Sequence, residues 1–251
     1  MSVDSSSLPG TFFAQHPVLR AAQLVVWTYA GFLVAQYAVG FIVAGLLFLH
    51  VPLRELGDAG FSVVVTALVY LVSLLLVVGV PALFKQWESV KAFARLVGLI
   101  HKPKLRYLAF TPAIYVLYFF VAGALITIIA QLSPGFDPGE AQNVGFENIT
   151  HLWEYIAAFV ALVICAPIAE ELLFRGFLFG SLRERLAFWP STLLVSGLFG
   201  FVHGQWNVAI DTFLLSGALC YLRERSQSLW PAILLHMIKN GVAYYFLFVQ
   251  L

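Results

Sequence analysis

Charge is what this sequence has least of. Only 11% of its 251 residues are Asp, Glu, Lys or Arg, and 14 basic against 13 acidic side chains leave a net charge of +1. Charged residues make up about a quarter of a typical soluble domain and cover its surface. A soluble enzyme and a disordered tail are therefore excluded. A nucleic-acid binder is excluded too, because there is no net positive field to attract a polyanion. Cysteine is nearly absent. Cys165 and Cys220 both lie in apolar runs, which excludes a disulfide scaffold and predicts inert packing thiols. No secretory signal is expected: residues 1–16 are serine-rich with one acid, and the apolar run that follows is too long for a cleaved one.

Hydrocarbon is what the chain has in excess. Apolar residues make up 61% of it and its mean hydropathy is +0.90, against about 45–50% apolar in soluble domains. A bilayer core needs about 20 apolar residues per helix and leaves no water to satisfy an open backbone. The apolar runs 21–50, 61–84, 108–132, 152–182, 191–204, 208–222 and 231–251 predict an all-α polytopic bundle of about seven spans. Connection 85–106 carries Lys85, Lys91, Arg95, Lys102, Lys104 and Arg106, whereas loop 133–151 holds Asp137, Glu140 and Glu147 with no Lys or Arg. By the positive-inside rule the connection is cytoplasmic and the loop extracytoplasmic. Alternation then puts Arg20, Arg183, Arg185, Arg223 and Arg225 inside, so the connection's six and these five make eleven of the 14 basic residues. The predicted location is the cell membrane, multi-pass, with a cytoplasmic N-terminus. Within the connection, Trp87, Val90, Phe93, Val97 and Ile100 recur at helical spacing and predict a helix lying in the membrane interface.

Ionisable groups inside such spans each cost from about 2.5 kcal/mol upward at the membrane centre, so each is a candidate site. Glu170-Glu171-x-x-x-Arg175 comes first. Glu171 and Arg175 are four apart, share a helix face and can neutralise each other; Glu170 sits roughly 100° away with no local partner. That asymmetry assigns structure to Glu171 and Arg175 and leaves Glu170 free for chemistry, although both acids could instead form a polar tie between helices. Phe199-x-x-x-His203 and His236-x-x-x-Asn240 follow, each pair facing one way from its helix. At 1.5 Å per residue, Glu170 lies roughly 20 Å from Arg183, and His236 roughly 16 Å from Arg225, so the clusters can meet in the cytoplasmic half or near the midplane. Pro167 is expected to bend its helix where the acids begin. Gly176 and Gly180 form a small-xxx-small step that lets another helix approach closely. Lys239 points off the Asn240 face and is free to snorkel or to pair with an acid.

These three motifs, in this order and on separate spans, resemble those of the CPBP family, the CAAX-processing and bacteriocin-processing (Abi) intramembrane proteases. The resemblance runs from about residue 161 to 242 and includes the flanking Pro167-Ile168-Ala169-Glu170-Glu171-Leu172-Leu173-Phe174-Arg175-Gly176. It implies peptide-bond hydrolysis within the membrane. Glu170 and His203 would activate a water, and His236 and Asn240 would orient or stabilise the carbonyl oxyanion. Glu171, Arg175 and Phe199 would support them. A withdrawn carboxylate suits general-base work, and an imidazole and an amide suit a developing oxyanion in a low dielectric. No H-E-x-x-H run exists, so a metal-free mechanism without cofactor is expected. Zinc held by Glu170, His203 and His236 is the alternative. The chain is thus organised as a cytoplasmic segment 1–20, N-terminal spans 21–132 with the basic connection 85–106, an extracytoplasmic loop 133–151 and a catalytic core 152–251. Expected partners are bilayer lipid and a protein or peptide substrate with a hydrophobic or lipidated segment: a CAAX-like or sorting tail, or a leader. A proton-coupled transporter would also place acids and histidines in spans, and an inactive scaffold or immunity protein could share the architecture.

Overall fold

The computed structural model describes residues 16–84, 89–140, 142, 144–146 and 149–250. Lys85, Trp87 and Glu147 of the sequence reading lie outside them, as do residues 1–15. The described residues form helices α1 (Pro17–Phe48), α2 (Leu53–Leu83), α3 (Val90–Leu96), α4 (Leu105–Leu132), α5 (Leu152–Arg183), α6 (Phe188–Phe201), α7 (Trp206–Ser226) and α8 (Trp230–Phe248), with no strand among them. The chain is an all-α polytopic membrane protein.

Each of the seven expected runs is a helix, but the seven are not alike. Four of them (α1, α2, α4 and α5) are 28 to 32 residues long and apolar enough to cross a membrane alone. The other three depart for reasons visible in their residues. Helix α6 has 14 residues, about 21 Å of rise. Helix α7 carries Asp211 and ends in Arg223-Glu224-Arg225, and α8 carries His236, Lys239 and Asn240. Hydrocarbon would penalise these polar groups, and the fold turns them toward protein: His236 is 3% exposed, and Lys239 pairs with Asp211. Large apolar side chains on the surrounding helices point outward, among them Phe41 (79% exposed) and Phe120 (67%), as a lipid-facing surface requires.

In two spanning helices a proline follows a π-wound stretch, and each leaves a carbonyl that needs a donor. In α2, Pro81 follows a π-wound stretch, Leu75–Gly79. The carbonyl of Val77, four residues before it, is taken by the Trp27 indole N–H at 3.0 Å. In α5, the π-wound stretch Val160–Cys165 precedes Pro167. Bonds there run i to i−5, so the carbonyl left open is that of Leu162, and Asn240 of α8 donates its amide to it at 2.9 Å. Pro167 thus widens α5 and fastens it to α8. A second π stretch, Leu172–Leu178, follows the acids.

The interfacial helix is present as α3, capped by the Ser89 hydroxyl, which accepts from the Ala92 N–H at 3.1 Å. It is shorter than its predicted apolar face. The helix stops at Leu96, Val97 is fully buried, and Gly98 turns the chain at φ +80°. The segment then docks on the body. The Leu96 carbonyl accepts from Arg223 Nη2 (2.8 Å), the Gly98 carbonyl from the Leu229 N–H (3.0 Å), and the His101 carbonyl from the Ser228 hydroxyl (2.8 Å). Gly176 and Gly180 receive this segment rather than a further spanning helix. A Cβ on Gly180 would stand 2.7 Å from the Leu96 carbonyl oxygen, and one on Gly176 3.1 Å from Val97 Cβ. The expectation of a helix–helix step is corrected accordingly: a small residue admits whichever backbone comes close. Cys220 is buried in the core, but Cys165 faces outward.

Candidate active site

The acids on α5 occupy different environments, and the helix period is the cause. Glu171 and Arg175 are both 0% exposed and pair at 3.0 Å. Arg175 also lies over the Phe199 ring, 4.2 Å from its centroid, a cation–π contact strengthened by the dry surroundings. Its Nε and Nη2, like Glu171 Oε2, make no hydrogen bond among the described residues, so the aromatic face carries part of the solvation that water would give. Phe199, fully buried, also meets the rings of Phe174 (4.9 Å), His203 (4.9 Å) and His236 (5.9 Å). It is the packing centre of all three motifs.

His236 lies between the two glutamates. Its Nδ1 is 2.9 Å from Glu171 Oε1, and its Nε2 is 3.6 Å from Glu170 Oε2. A carboxylate already paired with Arg175 only accepts, so Nδ1 carries the proton and Nε2 is the atom presented to Glu170. His203 is fixed in a similar way. Its Nδ1–H donates to the Phe199 carbonyl one turn earlier at 2.6 Å, so Nε2 of the neutral ring bears a lone pair. Glu170, expected to have no partner close by in sequence, takes one from another helix: the Tyr70 hydroxyl of α2 donates to its Oε1.

Glu170, His203, His236 and Asn240 line one cavity of about 280 Å³ together with Tyr70, Thr66, Thr212 and Lys239. The convergence expected from spacing is therefore met. Glu171, Arg175 and Phe199 lie behind the wall, in contact with the residues that line it. Lys239 pairs with Asp211 of α7 at 3.6 Å, and Asp211 also accepts from the Tyr118 hydroxyl of α4. Tyr70 and Asp211 are the participants that sequence reasoning missed. A tyrosine in mid-span, away from the interfacial belt where the residue usually sits, was the available signal for Tyr70. A larger crevice of about 470 Å³ between α1 and the α6–α7 turn has no acid or histidine in its lining.

A catalytic zinc needs three protein ligands converging on one point at about 2.0–2.2 Å. Among the described residues no group of three His, Cys, Asp or Glu side chains is close enough to hold a metal ion. His236 turns one nitrogen onto Glu171 and leaves the other 3.6 Å from Glu170. The arrangement does not fit a three-ligand centre.

Comparison with known proteins bears on the same segment. The family model described as Type II CAAX prenyl endopeptidase Rce1-like matches residues 152–242. This segment is a CPBP-family domain. YdiL of Bacillus subtilis (strain 168), provisionally assigned as a membrane peptidase, is 27% identical over 126 residues, covering 48% of this chain and 52% of that protein. The chain thus spans about half the length of the curated relative it matches. No solved structure matches. The CPBP domain runs through α5 to α8 and contains all three motifs, whereas Tyr70 and Tyr118 reach it from α2 and α4.

Proposed function

We propose that the protein is an intramembrane endopeptidase in which Glu170 and His203 activate a water against a peptide carbonyl. The observation that carries this reading is the shared cavity: one acid from α5, one imidazole from α8 and one from the turn after α6, where His203 lies just past the helix end, line about 280 Å³. In the proposed reaction a water between Glu170 and His203 Nε2 loses its proton to Glu170. Its oxygen attacks the carbonyl carbon, and the proton passes to the departing amide nitrogen as the C–N bond breaks. Tyr70 holds one Glu170 oxygen, so the other is the one that works.

The oxyanion needs donors. Asn240 keeps one amide N–H on Leu162 and has a second for the cavity. His236 has Nδ1 on Glu171, so only Nε2 is available, and it donates only when the ring carries both protons. This restricts the expected oxyanion role of His236 to its doubly protonated form. Water activation runs on these residues without a metal. Substrates are an extended segment of a membrane-associated protein or peptide: a C-terminal tail, CAAX-like or sorting, or a leader.

The test compares peptide release from membranes holding the native chain, Glu170→Gln and His203→Ala, with folding followed by thermal melting of the purified proteins. Loss of release by both folded variants supports the reading. Cleavage retained by either variant overturns it.

A further inference from the structure

We infer that the cavity opens away from the basic connection, so that it takes an extended peptide segment presented on the extracytoplasmic side of the membrane. This rests on the proteolytic reading above and narrows its substrate class.

The direction follows from the lining. Along α8 the lining residues are His236, Lys239, Asn240, Ala243, Tyr244, Leu247 and Phe248, a single helical face that runs from the reactive groups to the last turn. The 12 steps from His236 to Phe248 rise about 18 Å. At the outer end the wall is completed by Gln142 and Val144, from the loop between α4 and α5. That loop is fastened over the helix ends around it. Asn207, at the start of α7, donates to the Glu140 carbonyl at 2.8 Å; Ser62 of α2 donates to the Gly145 carbonyl; and Phe146 is buried against Ala59, Ala158 and Tyr244. Beneath Glu170 the opposite route is closed. Glu171, Arg175, Phe174, Phe177, Leu178 and Phe199 are each at most 2% exposed, and behind them sit Leu182 and the docked Val97. No described residue of connection 85–106 lines the cavity.

The side follows from charge. The basic residues cluster at the closed end, in the connection and in Arg183, Arg185, Arg223 and Arg225, while loop 133–151 at the open end has none. The positive-inside rule makes the closed end cytoplasmic. An extended chain spans about 3.3 Å per residue, so about five or six residues reach from Phe248 to His236. A tail that stays on the cytoplasmic leaflet, as a prenylated C-terminus does, cannot enter. An exported tail or leader, or the outer juxtamembrane segment of an anchored protein, can. Loop 133–151, which supplies Gln142 and Val144 to the cavity wall, carries Asp137 and Glu140 and no Lys or Arg, a charge that favours neutral or basic segments.

Two measurements on the full chain test this. In a Cys165→Ala background, where Cys220 is fully buried, Val144→Cys and Ala243→Cys are treated with a membrane-impermeant maleimide. Both are expected to label in right-side-out vesicles, and Lys102→Cys only in inverted ones; the reverse pattern overturns the inference. A pool of charged, membrane-impermeant quenched peptides is then offered to detergent-solubilised protein and to sealed vesicles of both orientations. Cleavage in detergent and in right-side-out vesicles, at least tenfold above inverted ones, supports the inference. Cleavage in detergent with preference for inverted vesicles overturns it. No cleavage even in detergent overturns the proteolytic reading instead, and the labelling result still decides the side.

Discussion

Removing the carboxylate of Glu171 should destabilise this protein more than removing the carboxylate and its partner together. Glu171 and Arg175 pair at 3.0 Å with both side chains 0% exposed. Glu171→Leu therefore leaves a guanidinium in a dry core, over the ring of Phe199 and without a carboxylate. Breaking a buried pair from one side costs about 3–5 kcal/mol, a large fraction of a typical net stability of about 5–15 kcal/mol. At about 2–4 °C per kcal/mol for a chain of this size, the melting temperature in detergent falls by about 6–20 °C. Glu171→Leu/Arg175→Met removes both charges at similar volume, a change that is often neutral in itself. The Nδ1–H of His236, 2.9 Å from Glu171, still loses its acceptor, at about 1–3 kcal/mol. The double variant should therefore melt between the wild type and Glu171→Leu, with a favourable coupling of about 1–3 kcal/mol in the cycle. Its activity should stay low, by about 10³–10⁴-fold, because losing the carboxylate that orients a catalytic imidazole carries a penalty of that order. A single variant as stable as wild type would refute the reasoning, as would a double variant with full activity, since His236 would then need no orientation from Glu171.

Tyr70→Phe keeps the ring and removes the hydroxyl that donates to Glu170. A hydrogen bond to a charged group is worth about 1.5–3 kcal/mol, so kcat should fall roughly 10- to 150-fold with little change in melting temperature; unchanged turnover would make the contact incidental. Asn240→Leu releases the Leu162 carbonyl and should lower stability by about 1–3 kcal/mol as well as activity, and a variant losing activity alone would separate the amide's two bonds. Gly180→Val would drive a side chain into the Leu96 carbonyl, 2.7 Å from the Cβ position. Protease nicking between residues 96 and 106 is the readout: the docked segment should become cleavable in the variant and resist in wild type. Exhaustive chelation should leave cleavage intact; a loss that zinc restores would overturn the metal-free reading.

The polar residues of this fold were legible in the sequence because a bilayer makes them conspicuous. Glu170, His203, His236 and Asn240 stand out on apolar runs, and helical spacing alone puts Glu170 and Glu171 in different environments. What spacing could not supply was the identity of partners on distant helices. Tyr70 is 100 residues from Glu170, and Asp211 is 93 from Tyr118. Both tyrosines are ordinary members of apolar helices until the packing is known. The Gly176–Gly180 step was recognised as a close approach, but its occupant was not, because a small-residue pair encodes clearance and not what fills it. Pro167 by itself signals a bend. Its consequence, an open carbonyl that Asn240 takes, depends on a π-wound register that propensity does not encode.

The Tyr70 contact makes the CPBP domain chemically incomplete on its own. A fragment beginning at Leu152 would keep each residue of the three motifs and still lack the hydroxyl that engages the Glu170 carboxylate, the strap under the cavity floor and the loop around its mouth. Transplanting the motifs onto another helical scaffold should fail for the same reason, and two proteins that share all of them can differ in activity through helices that no motif search inspects.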